Sequence, residues 1–178
     1  MAYTAMSGTG TTSGDDPLQT AVWRLRSRAC WADAAALIPP DTAGRALLDF
    51  RRGLLAENIS RSPQAARAAY RRAHTAAAAH SDSLLLSFTW RHLAGLALRD
   101  GEMAEARHGF AESLRIREEL GYLVGTAPAL ASLADAETDP EASRLREEAR
   151  RLFRLLGGVP TWLARQLTPP ATPSPTGV

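Results

Sequence analysis

Arg51 and Arg91 stand 40 residues apart, and each directly follows an aromatic residue, Phe50 or Trp90. A guanidinium is planar and permanently charged, and it offers paired donors that match a carboxylate or a phosphate. On a helix, the positions four, seven and eight residues after each arginine share its stripe, which adds Leu55, Asn58 and Ile59 to Arg51, and Gly95, Leu98 and Arg99 to Arg91. The candidate binding residues are therefore Arg51, Leu55, Asn58, Arg91, Leu98 and Arg99, with both leading arginines expected in water. A second reading stays open: two solvated arginines in a chain whose 21 basic residues are all arginine.

Other residue types that could do chemistry are poorly placed for it. His74 and His80 are six apart and fall on different helix faces, while Glu105 and His108 form a single Glu-x-x-His step where di-iron bundles use two. No metal is expected. Cys30 is the one cysteine, set between Ala29 and Trp31, and reads as packing; it excludes an internal disulfide and a multi-thiolate site. The glycines of GTGTTSG lack the strand before and the helix after that a phosphate loop needs. Glu118-Glu119 and Glu147-Glu148 read as solvated helix faces or ion pairs at three- or four-residue spacing. No catalytic residue, no cofactor and no enzyme activity are expected.

Composition sets the outer bounds. The chain has 178 residues and a formal net charge of +2, the length of one ordinary folded unit. Charge is uneven: residues 17–80 hold 10 Arg against 4 acids, and residues 81–168 hold 11 against 13. The basic half suits an acidic partner. Nucleic acid ranks low, because the arginines are not interleaved with stacking aromatics and no zinc-finger spacing occurs. The start lacks a signal-peptide pattern and no membrane-length apolar run is present, so a cytoplasmic protein is expected.

The elements that must position these side chains are helices. Apolar residues recur at helical spacing, as in Leu47, Phe50, Leu54 or Leu93, Leu96, and alanine is abundant. Punctuation places helices at about 17–29, 31–37, 42–58, 63–80, 82–99, 103–120, 126–136, 140–156 and 160–167. Ser62-Pro63 and Asp139-Pro140 read as an N-cap followed by proline, and Asp100-Gly101 and Leu120-Gly121 as helix ends. Residues 1–16 and 168–178 are too poor in apolar surface to fold, which leaves 17–167 as the domain.

Residues 50–73 and 90–113 superpose without a gap at an offset of 40: Phe50 on Trp90, Arg51 on Arg91, Ala66 on Ala106, Tyr70 on Phe110, Ala73 on Ser113. A period of this size marks stacked units that bury their apolar faces on their neighbours. A third unit follows at an offset of 36, pairing Ala142 with Ala106 and Gly157 with Gly121, with Thr126 where Trp90 stood; its first helix is expected to be loosely packed or shortened. Leu18, Val22, Trp23, Leu25 and Trp31 would cap one end, and Trp162, Leu163 and Leu167 the other.

The segment WRHLAGLALRDGEMAEARHGFAES resembles a tetratricopeptide repeat through Trp90, Leu93, Ala94, Gly101, Glu102, Ala106, Phe110 and Ser113. The unit at Phe50 departs from the pattern with Gly53 for leucine and Arg61 for the turn glycine. Over about residues 42–157 the run is similar to the repeat arrays of bacterial signal-transducing ATPases and transcriptional regulators. The resemblance implies an all-α right-handed superhelix of stacked antiparallel hairpins, with the first helix of each unit lining a concave groove. Some members grip a C-terminal carboxylate with asparagines; Leu55 and His92 stand where those would be sought, which argues against that clamp here. The expected function is a noncatalytic module binding a protein or peptide partner, with an acidic partner and a homodimer through an open end both considered. The alternative is a small-molecule sensor or accessory enzyme that uses the helical cavity.

Overall fold

A computed structural model describes residues 43–158 and Leu167. The chain divides into two compact units, Met1–Leu37 and Ile38–Val178, and the described residues all belong to the second. They form six helices and no strand: α1 (Ala43–Asn58), α2 (Pro63–Ala79), α3 (Ser83–Arg99), α4 (Met103–Glu119), α5 (Leu123–Ala134) and α6 (Glu141–Leu155). The fold is all-α, a series of adjacent packed helix pairs, as the sequence pattern predicts. The helices expected at 17–29 and 31–37, the one at 160–167 apart from Leu167, Cys30, both tails and the other cap residues lie outside the described residues.

The first five helices start at 43, 63, 83, 103 and 123, one every 20 residues. The 40-residue repeat is thus two equal half-steps. Two residues before each of the last four starts, the backbone turns left-handed: φ is 49° at Arg61, 54° at Ser81, 81° at Gly101 and 62° at Gly121. From the next residue an amide reaches back to a helical carbonyl, Asp82 to Ala77, Glu102 to Ala97 and Tyr122 to Arg117, each at 2.9 Å. That is the closure of a Schellman turn, which spends otherwise orphaned carbonyls and reverses the chain. Gly101 and Gly121 adopt the conformation without a Cβ penalty, whereas Arg61 and Ser81 bear it. Ser62 then caps α2, its hydroxyl accepting from the Ala65 amide at 3.4 Å with Pro63 at the first helical position. Asp82 caps α3 by accepting from Leu85 at 3.0 Å.

Each helix packs on the one before and the one after, and α3 also meets α5. Two core clusters result. One joins α1, α2 and α3 through Ala46, Phe50, Ala66, Tyr70, Ala73, Ala77, Leu85 and Leu96. The other joins α3 through α6, with Phe110, Leu130, Leu145 and Phe153 set among alanines and with Leu167 buried against them. Alanine at Ala66, Ala94 and Ala106 keeps the helix pairs close, since a larger side chain there would push the backbones apart.

Several sequence expectations need correction. Leu47 is exposed rather than part of the core stripe. The matched aromatics differ: Phe50 is buried in the first cluster, while Trp90 is half-buried, edge-on to His74 at 4.6 Å and to His108 at 5.3 Å. Asp139 does not cap α6, because its carboxylate accepts the Ser143 hydroxyl at 2.6 Å and the helix begins at Glu141 after a cis Asp139-Pro140 peptide. Helix α5 starts at Leu123, three residues earlier than expected, in the same 20-residue step. The third unit is therefore shortened at the end of its first helix, which has 12 residues, and it is tightly packed: from Gly125 to Ala134 only Pro128 is not buried.

Candidate functional site

Gly53 begins the local account. It replaces the leucine of the repeat pattern because the Tyr70 ring lies against it: a Cβ built on Gly53 would fall 2.4 Å from Tyr70 Cε1. The ring is fully buried, stacks on His92 at 4.9 Å and meets Phe50 at 5.6 Å. Its hydroxyl donates to Glu57 Oε2 at 2.6 Å. His92 Nδ1 lies 3.0 Å from the same oxygen and 3.2 Å from the Tyr70 hydroxyl, and Arg99 donates to Glu57 Oε1 at 2.6 Å. Three helices thus contribute to one polar knot: Glu57 from α1, Tyr70 from α2, His92 and Arg99 from α3.

The electrostatics follow from burial and pairing. Burial alone would raise Glu57, but the bonds from His92, Tyr70 and Arg99 outweigh it and lower its pKa to about 2. The phenol of Tyr70 is pushed up, first by burial and then by the facing carboxylate. Burial lowers His92 although Glu57 opposes it, so the imidazole is neutral, donates through Nδ1 and leaves Nε2 as an acceptor. A carboxylate fixing an imidazole is half of a proton relay. Among the described residues the hydrogen-bond partners of His92 are Glu57 and Tyr70, with no serine, threonine or cysteine nucleophile bonded to it.

Two cavities meet at this knot. A larger one of about 660 Å³ runs along α1 and α3 and is walled by Phe50, Leu54, Leu84, Leu85 and Phe88, with Arg51, Asp82, Arg91 and His92 as polar members. A smaller one of about 240 Å³ is lined by Glu57, Arg91, His92, Leu98, Arg99 and Asp135, among others. Arg91 and His92 line both, so the two cavities adjoin along the first helices of the hairpins, the larger mainly apolar and the smaller mainly polar.

Of the residues singled out from sequence, Arg51 is exposed and lines the larger cavity, while Leu98 and Arg99 line the smaller. Arg91 lines both but is half-buried: its Nε donates to Ser132 on α5 at 3.2 Å, and burial lowers its pKa. The equal exposure expected of Arg51 and Arg91 fails because α5 covers the second and supplies it with a hydroxyl. Asn58 is exposed, donates to the Leu54 carbonyl at 3.0 Å and lines a side cavity with Glu57 and Arg99. Leu55 is half-buried and lines neither part of the groove. Comparison with family models, with curated proteins and with solved structures gives no match for this chain. The site is therefore read from its own geometry.

Sequence reasoning passed over Glu57, Tyr70 as a hydrogen-bond donor, and the core role of Arg117. The Arg117 guanidinium is buried: Nε donates to Ser87 Oγ at 3.3 Å, Nη1 to the Gly125 carbonyl at 2.8 Å, and the group sits over the Phe88 ring at 4.9 Å. Its Nη2 has no hydrogen-bond partner. Burial, with Arg91 nearby, lowers its pKa to about 10. Ser113, a departure from the repeat's alanine, donates to the Ser87 carbonyl at 2.8 Å and ties α4 to α3 beside it. Among the described residues no group of His, Cys, Asp and Glu could hold a metal ion, and Glu105 and His108 are both exposed. No described helix is long and apolar enough to cross a membrane.

Proposed function

We propose that this protein is a noncatalytic recognition module that receives a segment of a protein partner in the groove along α1 and α3. The observation that carries the reading is a pair of adjoining cavities that share Arg91 and His92, a mainly apolar one of about 660 Å³ and a polar one of about 240 Å³. A peptide needs such a surface: pockets for apolar side chains and fixed polar groups to set register. The polar knot holds its own donors and acceptors in place, which lowers the ordering cost of binding. The tetratricopeptide resemblance supports the same groove, with a period of 40 here against about 34 in that family. A cytoplasmic location belongs to the same proposal.

A random-heptapeptide display selection on the full chain tests this. Selected peptides should lose binding to a Leu47→Gln/Leu84→Gln variant, in which two exposed apolar walls of the larger cavity become polar with no change of charge and no disturbance of the core. Peptides that bind this variant as well as they bind the parent would contradict the reading. A small-molecule ligand is the second reading, favoured by the size of the larger cavity, which lies within the range of about 300 to 1,000 Å³ for such pockets. A melting shift with a metabolite panel, absent in the Leu47→Gln/Leu84→Gln variant, would decide for it.

A further inference from the structure

The acids near the groove are committed elsewhere. Glu57 is held by Tyr70, His92 and Arg99. Asp82 caps α3, and Asp135 lies 3.6 Å from Arg146. The cations are not matched in the same way. Among the described residues no salt bridge holds Arg51 or Arg117, and Arg91 shares the attraction of Glu57 and Asp135, which are already bonded to Arg99 and paired with Arg146. Arg51 and Arg91 line the larger cavity directly. Arg117 stands against Phe88, itself a wall of that cavity, with one nitrogen buried and unbonded. A guanidinium taken partly or wholly out of water with its charge incompletely compensated carries a cost that an incoming anion relieves, and charge-assisted paired bonds are the form that relief takes.

We propose that the segment received by the groove carries an aspartate or glutamate beside a bulky apolar side chain. Its carboxylate is taken by Arg51 and Arg91, its apolar neighbour fills the space between Phe50, Leu54 and Phe88, and Arg117 adds attraction from behind Phe88 without touching the ligand. This rests on the peptide-binding reading and adds the charge of the ligand to it. The two cations sit on successive first helices, so the acid also fixes where along the stack the segment lies.

The display selection, read by composition, provides the test. Peptides enriched on the parent chain should carry Asp or Glu next to Leu, Ile or Phe. The strongest, made with a fluorescein label, should bind about tenfold more weakly to Arg51→Glu, and also when its own acid is replaced by the amide. Arg51 is exposed, so that variant keeps its fold; Arg91→Gln, checked by melting, should weaken the same peptide to a similar degree. Neutral or basic peptides whose affinity ignores Arg51→Glu would overturn the charge assignment and leave the peptide groove standing. No enrichment at all would overturn both.

Discussion

The two seams between hairpins occupy equivalent places in the repeat and are built from opposite materials. Between the first and second hairpins lie Glu57, Tyr70 and His92, joined by hydrogen bonds of 2.6 to 3.2 Å. Forty residues on, Ala97, Phe110 and Ser132 occupy the corresponding positions, and all three are buried. One seam is knotted by a carboxylate, a phenol and an imidazole; the next packs alanine and phenylalanine at those places and is crossed by arginines, Arg91 to Ser132 at 3.2 Å and Arg117 to the Gly125 carbonyl at 2.8 Å. The second seam stacks without a carboxylate, phenol or imidazole at these three positions, so the set Glu57, Tyr70 and His92 is not required by the fold class. They fix His92 and Arg99 where the groove passes. The same displacement separates Arg51 from Arg91: the second finds Ser132 on α5, whereas the corresponding position on α3, His92, is turned to Glu57 and leaves Arg51 in water.

The contrast can be broken most severely at Gly53. Leu93 holds the equivalent position in the second unit, so Gly53→Leu makes the units more alike, yet it forces a side chain into the Tyr70 ring. A loss of about 3 kcal/mol is expected in urea unfolding; an unchanged midpoint would show that Tyr70 does not pack there. Acid should act next. Glu57 falls from 4.5 to about 2 in the folded state, so its contribution is full above pH 4.5 and is lost as pH drops toward 2. That contribution is on the order of 3 kcal/mol. His74 and His92 are also lowered, by burial first, so their loss begins earlier, as pH falls below 6.5. Replacing Glu57 by Gln should therefore flatten the stability profile between pH 4.5 and 2, and a profile equally steep in the variant would remove Glu57 from the account.

A double-mutant cycle sharpens the comparison. Tyr70→Phe and Glu57→Ala should couple by about 1 to 2 kcal/mol, each change alone leaving a buried partner unsatisfied. Coupling near zero would mean that the knot is a coincidence of packing. The arginines should separate in the same way: Arg91→Ala costs about 1 to 2 kcal/mol through its half-buried stem and its bond to Ser132, while Arg51→Ala stays within about 0.5. The smallest effect is expected at the turns. Arg61→Gly and Ser81→Gly relieve left-handed strain that Gly101 and Gly121 do not carry, for a gain of about 0.5 kcal/mol each by thermal melting.

Much of the scaffold was legible because its signals are local. Ser62-Pro63, Gly101 and Gly121 announce turns through their own backbone chemistry, and the alanine-rich stripe between them has helical period wherever it is read. The start of α5 is obscured because no capping side chain marks it: Tyr122 precedes the helix without a side-chain cap bond. The groove wall was legible as a stripe from Arg51 and Arg91. The polar knot was not, since Glu57, Tyr70 and His92 are 13, 22 and 35 residues apart pairwise and no local spacing brings them together. The signal that could have found them lies in the repeat itself: three positions that are polar or hydroxylated in one unit and alanine, phenylalanine and serine in the next.

Amide hydrogen exchange with a display-selected heptapeptide tests the central claim most directly. Occupation of the groove predicts slowed exchange along α1 and α3, centred near Arg51 and Arg91, with the outward faces of α2 and α4 unchanged. Protection confined to α2, α4 or α6 would contradict it and place the binding surface elsewhere on the stack.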